Sequence, residues 1–578
     1  MNVFQLVQDR FKQALSKVDG AENAPAPLAR STRPEFGEYQ FNGAMALAKM
    51  LKQNPRQIAT QIVEAVELDD VAESLDIAGP GFINVKLKPE WLAEQVSKAL
   101  ADERLAVELE PKQKVVVDLS SPNLAKEMHV GHLRSTIIGD SVARVIEFLG
   151  HEVIRQNHMG DWGTQFGMLL AHLQDKLKSD EVATTALSDL EDFYREAKVR
   201  FDDEEGFADR AREYVVKLQG GDRDCKTLWQ QFIDVSIQHS EEVYEKLNVN
   251  LERKDIMGES AYNPMLPGIV ADLKAKGIVV EDQGAQVVFL EELANKGGEP
   301  AVYIVEKSGG GFLYSTTDLA AMKYRSFDLN ADRIIIFTDA RQALHFKQAE
   351  LVGRKGGLIR EETSYEHGPF GMMLGQDGKP FKTRTGGTVK LADLLDEAVE
   401  RAEKLLAERD NDLTDAERKE IARKVGIGAI KYADLSKNRT TDYIFNWDTM
   451  LSFEGDTAPY LQYAYTRIKS IFRKAGVDAA TYAAPVVIEA EQEKALAVKL
   501  LQFVEAINAV SANSTPHLLC TYLYELASLF MTFYEACPML KDGVKEETKQ
   551  SRLALSLLVA NTLKQGLELL GIETMERM

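Results

Sequence analysis

Residues 114–149, KVVVDLSSPNLAKEMHVGHLRSTIIGDSVARVIEFL, restrict the fold more than any other stretch of this chain. Residues 114–119 form a short run rich in β-branched side chains that reads as a buried strand. Further on, apolar side chains recur at Leu133, Ile137, Val142, Val145, Ile146 and Leu149, which is helical spacing. Strand, polar turn and helix in that order make the opening unit of a parallel α/β sheet, and such sheets hold ligands where strands end and helices begin. His129, Gly131 and His132 fall in that turn. A helix start offers unpaired N–H groups and the positive end of a dipole, which suits a phosphate. Two imidazoles there can donate to phosphate oxygens, and Gly131 leaves the backbone bare where a flat base can lie. The stretch predicts a nucleoside triphosphate site, although a His-x-Gly-His string can also be a plain helix cap.

Composition narrows the class. With 578 residues the chain is long enough for three or four domains, each with a substantial core. It is 45% hydrophobic and 28% charged, and its apolar runs are shorter than the ~20 residues a membrane span needs, so no membrane partner is expected. The opening MNVFQLVQDRFKQAL mixes acidic and basic residues on an amphipathic helix rather than forming a signal peptide, and the cytoplasm is the expected compartment. A net charge of −21 argues against non-specific coating of nucleic acid, DNA included. It leaves room for a specific RNA held by local basic faces. Cys225, Cys520 and Cys537 are far apart in helical patterns, so buried thiols are expected rather than disulfides or a structural zinc site.

Read in order, residues 1–110 look like a separate α+β domain, in which 75–87 alternates like two strands about a Gly-Pro-Gly turn. The acidic stretch 103–110 reads as a linker. A domain at 111–395 follows, with a charged helical insertion near 175–250. Its strands are expected at 249–256, in VVFL, in AVYIVE and at 333–337, alternating with helices and so implying a mostly parallel sheet. Residues 396–453 read as a helical connection and 454–578 as a bundle of amphipathic helices.

SSPNLAKEMHVGHLRST resembles the first ATP-binding motif of class I aminoacyl-tRNA synthetases, in the form carried by arginyl-tRNA synthetases. HMGDWGTQFG at 158–167, TAPYLQYAYTRI at 457–468 and LGIETMERM at 570–578 resemble the same family, so the likeness spans nearly the whole chain. It implies an α/β Rossmann-like class I catalytic domain with insertions, an N-terminal α+β domain and a C-terminal all-α helical bundle. It further implies activation of L-arginine by ATP to arginyl-adenylate and transfer to the 2′-OH of the terminal adenosine of tRNA(Arg). Mg²⁺ would accompany ATP, bound tRNA would be required for activation, and the protein would be a monomer.

The resemblance also assigns residues. Tyr314 and Asp318 lie four apart on one helix face, Glu259 at a strand end and Gln342 at a helix start. A guanidinium requires planar acceptors, which carboxylates supply. Taken singly, each of these residues suits a cap or a surface charge; as a set they match the family's arginine pocket, with Asn123 and His129 on the substrate backbone. The second nucleotide motif of the class falls in PFGMMLGQDGKPFKTRTGGTVKL, where Lys379 and Lys382 keep the two-lysine spacing but the middle is replaced. Met373 joins these lysines at ATP, and Lys126 in the first motif can substitute for either. Such cations would stabilise charge on the departing phosphates, although a Lys-rich Gly loop is also a common solvated turn. Phe82 and Asn84, two apart on a strand, match the pair that contacts the tRNA D-loop, against the plainer reading of an edge strand with one core aromatic. Tyr460, Tyr463, Tyr465 and Arg467 can face RNA or pack a core.

Two other classes fit parts of the chain. A small-molecule adenylyltransferase would share the His-x-Gly-His fold but leaves the appended domains unexplained. A non-catalytic RNA-binding paralogue has no need of the intact histidines and lysines. Cysteine specificity would want a metal thiolate that this chain lacks.

Overall fold

Asn2 caps the first helix, α1 (Val3–Leu15), by accepting the Gln5 N–H at 3.0 Å, in a computed structural model that describes residues 1–383, 386–409 and 412–578. The chain divides into two units: Met1–Leu109 with Phe453–Glu568 and Glu573–Met578, and Glu110–Ser452 with Leu569–Ile572.

In the first unit, α1 is followed by β1 (Leu28–Arg30), β2 (Tyr39–Phe41), α2 (Ala44–Leu51), α3 (Pro55–Ala65), β3 (Ala72–Ala78), β4 (Phe82–Leu87) and α4 (Pro89–Ala101). The strands form an antiparallel sheet of order β1-β2-β4-β3, with the expected hairpin turning at Gly79-Pro80-Gly81. Phe11 of α1 stacks on Phe41 at 4.5 Å and anchors the helix to the sheet. Five helices from the far end of the sequence complete this unit.

The second unit contains residues 114–149. It begins with β5 (Lys114–Asp118), α5 (Leu133–Phe148) and β6 (Glu152–Gln156), then the insertion α6 (Gln165–Lys178), α7 (Ala183–Ala186), α8 (Leu190–Asp203), α9 (Phe207–Gln219) and α10 (Arg223–Lys246). Next come α11 (Glu259–Tyr262), α12 (Leu266–Ala275), β7 (Val280–Asp282), β8 (Ala285–Leu290), β9 (Ala301–Glu306), α13 (Tyr314–Lys323), β10 (Arg333–Asp339), α14 (Ala343–Lys355), β11 (Ser364–Phe370) and β12 (Met373–Leu374). It closes with α15 (Leu391–Ala407), α16 (Asp415–Leu435), β13 (Tyr443–Ile444) and α17 (Trp447–Met450). A parallel sheet of order β11-β10-β5-β6 is the spine, and Val115, Val116 and Val117 on its interior strand are buried, as a strand covered on both faces requires.

Three expectations need correction. Residues 249–256 are not a strand: Glu252 and Asp255 cap a single tight turn, with the Glu252 N–H on Asp255 at 2.8 Å, and Ile256 alone makes a bridge, to Asn157. Glu259 therefore opens the short helix α11 instead of ending a strand. VVFL and AVYIVE lie outside the parallel sheet, in a separate antiparallel sheet β7-β8-β9. Residues 291–300 between them hold one short turn, Glu291–Leu293, and no crossover helix, so the strands pair antiparallel; at the other end a two-residue turn at Gln283 and Gly284, both at positive φ (50° and 83°), folds β7 onto β8 as a hairpin. Finally, α15 runs unbroken across 395 and 396, so the expected boundary falls inside a helix.

The remaining helices, α18 (Ala458–Ala475), α19 (Glu491–Leu501), α20 (Phe503–Asn513), α21 (Pro516–Ala536) and α22 (Glu546–Leu569), belong to the first unit except at their very end. Here α4 packs on α19, Arg30 pairs with Glu505 at 2.9 Å and Lys494 with Glu38 at 3.1 Å. An 18-residue window within Glu491–Asn513 reaches a mean hydropathy of 1.4. It is 67% buried in the protein, so core packing accounts for its apolar character. All three cysteines are buried, as expected.

Candidate active site

The carboxyl end of β5 breaks into two consecutive residues of left-handed backbone, Ser120 (φ 66°) and Ser121 (φ 52°). Such a conformation costs on the order of 1 kcal/mol for each non-glycine residue and persists where surrounding bonds impose it. Those bonds are dense here. The Ser120 N–H donates to Ser135 Oγ (3.0 Å), and Ser120 Oγ meets the Tyr244 hydroxyl (2.7 Å). The Ser121 N–H donates to Asn157 Oδ1 (2.9 Å), and Ser121 Oγ donates to Asp118 (2.9 Å) while accepting the His158 N–H (3.0 Å). Tyr244 comes from α10, so the insertion helps to hold the turn.

The two histidines cap the turn before α5 reciprocally. His129 Nδ1 accepts the Gly131 N–H at 3.0 Å and His132 Nδ1 accepts the His129 N–H at 3.1 Å, with the rings 4.1 Å apart. Because both Nδ1 atoms are acceptors from backbone, each neutral ring carries its proton on Nε2. Burial lowers the pKa of His129, and burial with the neighbouring His129 pushes His132 down to about 3. Both are therefore neutral hydrogen-bond donors rather than cations. The reason for Gly131 also differs from the one expected: a Cβ there would lie 2.6 Å from Cε1 of His129, so the glycine makes room for the first histidine's own ring.

A cavity of about 760 Å³ opens at this point, and Asn123, His129, Gly131, His132, Glu259, Tyr314, Asp318 and Gln342 all line it. Every residue assigned from sequence to arginine is thus in one place. Tyr314 and Asp318 are on α13, Gln342 precedes α14, and Glu259 opens α11. Glu259 is carried by a polar support: Asp161, buried, accepts from the Ser260 N–H (2.8 Å) and Ser260 Oγ (2.6 Å). Burial, then the negative Asp161 and Asp318, push the Glu259 carboxyl up to about 7.

Other assigned residues lie elsewhere. Lys126, Met373, Lys379 and Lys382 do not line the cavity. Lys126 sits over the Tyr194 ring at 4.1 Å, and Met373 is buried in β12, whose pairing with β13 draws the second motif toward the end of the unit. Lys379 and Lys382 are exposed on that loop, which turns back at Gly375–Gly378 and bridges Lys382 to Thr388. In the other unit Phe82 is half-buried, but Asn84 is only 5% exposed and accepts from Gln40 Nε2 at 2.8 Å. Tyr460 is half-buried against Tyr524, and the Arg467 guanidinium lies over Tyr534 at 4.6 Å. Tyr465 is core, its hydroxyl on Glu576 at 3.3 Å.

The cavity also contains residues that sequence reasoning missed: the buried pair Asp118–Arg325 at 2.8 Å, His158 and His345. His345 carried one signal, its position one turn after Gln342; Asp118 and Arg325 are paired across 207 positions and carried none.

A strand-turn-helix unit whose histidine turn faces a cavity at the carboxyl end of a parallel sheet is the arrangement of an α/β ligand-binding domain. Residues 95–447 match the family model described as tRNA synthetases class I (R), catalytic domain; 5–87 match the arginyl tRNA synthetase N-terminal domain and 461–578 the DALR anticodon binding domain. An arginine–tRNA ligase of Alteromonas mediterranea is 72% identical over 578 residues, covering all of both chains, and one of Pseudoalteromonas atlantica is 71% identical over the same span. Among solved structures, the arginyl-tRNA synthetase of Plasmodium falciparum superposes with a TM-score of 0.86 at 30% identity, covering 100% of this chain and 99% of that one. The Thermus thermophilus enzyme gives 0.83 at 26%, with both chains covered in full. The chain belongs to the arginyl-tRNA synthetase family. Neither the small-molecule adenylyltransferase nor the non-catalytic reading is favoured by such likeness.

Proposed function

We propose that this chain activates L-arginine with ATP and ligates it to the terminal adenosine of tRNA(Arg), with the cavity at the end of β5 as the place of reaction. The observation that carries the reading is the meeting of Glu259, Tyr314, Asp318 and Gln342 with His129 and His132 around one cavity. The guanidinium is held by the two carboxylates, with Tyr314 and Gln342 beside it; Asn123 and His129 hold the amino-acid backbone. His129 and His132 donate through Nε2 to phosphate oxygens, and Gly131, which lines the cavity, completes the ATP contacts. The arginine carboxylate attacks the α-phosphate, the bond to the β-phosphate breaks and pyrophosphate leaves. No side-chain nucleophile is needed, because positioning and charge stabilisation do the work. Lys379 and Lys382 on the second-motif loop, or Lys126, neutralise the leaving phosphates. Mg²⁺ would accompany ATP and would offset charge on its phosphates.

For tRNA, we assign Phe82 and Asn84 to the D-loop and Tyr460 and Arg467 to the anticodon side. The Asn84 amide then exchanges its bond with Gln40 for a base edge. A monomer working in the cytoplasm, with residues 1–110 and 454–578 as the RNA-contacting parts, completes the reading. The test is ATP–pyrophosphate exchange with each amino acid in turn, with and without tRNA. Exchange with arginine alone, and only when tRNA is present, is the expected result. Exchange with another amino acid, or with none, overturns the reading.

A further inference from the structure

His345 sits one turn after Gln342 at the start of α14 and makes more contacts to the arginine pocket than any role assigned so far explains. Its Nε2 donates to Asp318 Oδ2 at 2.5 Å, the one side-chain hydrogen bond of Asp318 among the described residues. The ring is fixed from several sides. It lies nearly parallel to Tyr303 (5.9 Å, 14°), tilted against Tyr314 (5.0 Å) and edge-on to Phe346 (5.1 Å). Tyr303 in turn donates its hydroxyl to the Ser315 carbonyl at 2.7 Å, so the strand that supports the ring also pins the first turn of α13. One imidazole therefore touches both Tyr314 and Asp318 and is tied through its own helix to Gln342.

An aspartate on a helix can swing between rotamers, and a carboxylate can accept at about four lone-pair positions. A guanidinium reads such a group only when the carboxylate plane is set. We propose that His345 is the positioning residue of the arginine pocket: it holds Asp318 by one oxygen, leaving Oδ1 for the incoming guanidinium, and it stations the Tyr314 ring beside it. The proposal rests on the assignment of Asp318 to arginine.

The experiment is aminoacylation at saturating ATP and tRNA, with arginine varied, for H345F, H345Q and D318N. H345F keeps an aromatic ring in the stack but removes the donor; H345Q returns an amide N–H at a reach close to that of Nε2. The expected result is a rise in KM for arginine of roughly tenfold or more in H345F, the scale of one lost hydrogen bond to a charged group. KM for ATP and the melting temperature stay put, and H345Q recovers most of the loss. If D318N raises KM for arginine while H345F matches the wild type, the positioning role is overturned and the pocket stands. If D318N changes nothing, the assignment of Asp318 itself falls. Equal losses toward arginine and ATP with a lowered melting temperature would mark a merely structural histidine and overturn the proposal. Should H345F not fold, H345Q against H345N carries the test, since the shorter amide cannot reach Asp318. Equal arginine affinity of those two overturns it.

Discussion

At the scale of single residues, charge state follows from burial and neighbours, and both give measurable consequences. Glu259 titrates near 7 because it is buried beside Asp161 and Asp318. A guanidinium favours the ionised carboxylate, so arginine binding displaces a proton below that pH and displaces none above it. The expected outcome is a KM for arginine that falls as pH rises through about 7 and then levels off; an E259Q variant has a raised KM with no such inflection. A wild-type profile identical to that of E259Q removes Glu259 from the pocket. His129 and His132 were legible in the sequence because a short motif sets them, and their reciprocal capping is a local event within four residues. Their neutrality was not legible, since it comes from burial. Nor was the strain at Ser120 and Ser121, which is imposed by Tyr244 and Asn157 from distant positions.

At the scale of elements, α5 is fixed at its first turn by a pair the sequence could not announce. Arg134 is 2% exposed and donates to Asp434 of α16 at 3.3 Å and to the Thr441 carbonyl at 2.9 Å, while the Tyr443 hydroxyl donates to Asp434 at 2.7 Å. Removing one partner leaves a buried charge alone, so R134M is expected to destabilise the protein by about 3–5 kcal/mol. Replacing both, in R134M/D434L, should restore much of that. Denaturant unfolding measures the difference; a single substitution within experimental error of wild type would refute the account. β5 and β10 were read correctly because burial on both faces writes itself as an apolar run, and α5 was read from the spacing of its apolar residues, although its polar Ser135, Thr136, Asp140 and Ser141 are buried as well. The stretch 249–256 was misread because Val249 and Leu251 are buried by packing alone, while the charged run after them forms a capped turn. VVFL and AVYIVE were misassigned because both are apolar runs like those of parallel strands, whereas residues 291–300 between them contain a single short turn, Glu291–Leu293, and no crossover helix, so the two pair antiparallel.

At the scale of the molecule, neither unit is continuous in sequence, and the linear domain order expected from composition does not express this. The clearest case is the segment Leu569–Ile572, which belongs with the α/β unit. Ser141 Oγ on α5 donates to the Leu569 carbonyl (3.0 Å), and the Gly571 carbonyl accepts from Lys431 Nζ (2.7 Å) and Asn248 Nδ2 (3.1 Å). Ile572 is 1% exposed. A chain ended at Glu568 keeps every cavity residue but removes one of the acceptors of the buried Lys431, which still donates to the Leu247 carbonyl (2.7 Å), and leaves Ile572's pocket empty. It is expected to lose arginine-dependent pyrophosphate exchange and to melt at lower temperature, and full exchange activity in that truncated chain would show the segment to be dispensable. The same four residues set a clock on biosynthesis. A ribosome delivers the strands and histidines of the α/β unit early, and with them the Leu247 carbonyl that accepts from Lys431 (2.7 Å), yet the Gly571 carbonyl that also accepts from it emerges only after the helices up to α22 have been made. From the synthesis of Lys382 to that of Gly571, then, the nascent chain holds a complete set of reacting groups on a scaffold whose last hydrogen bonds have still to form.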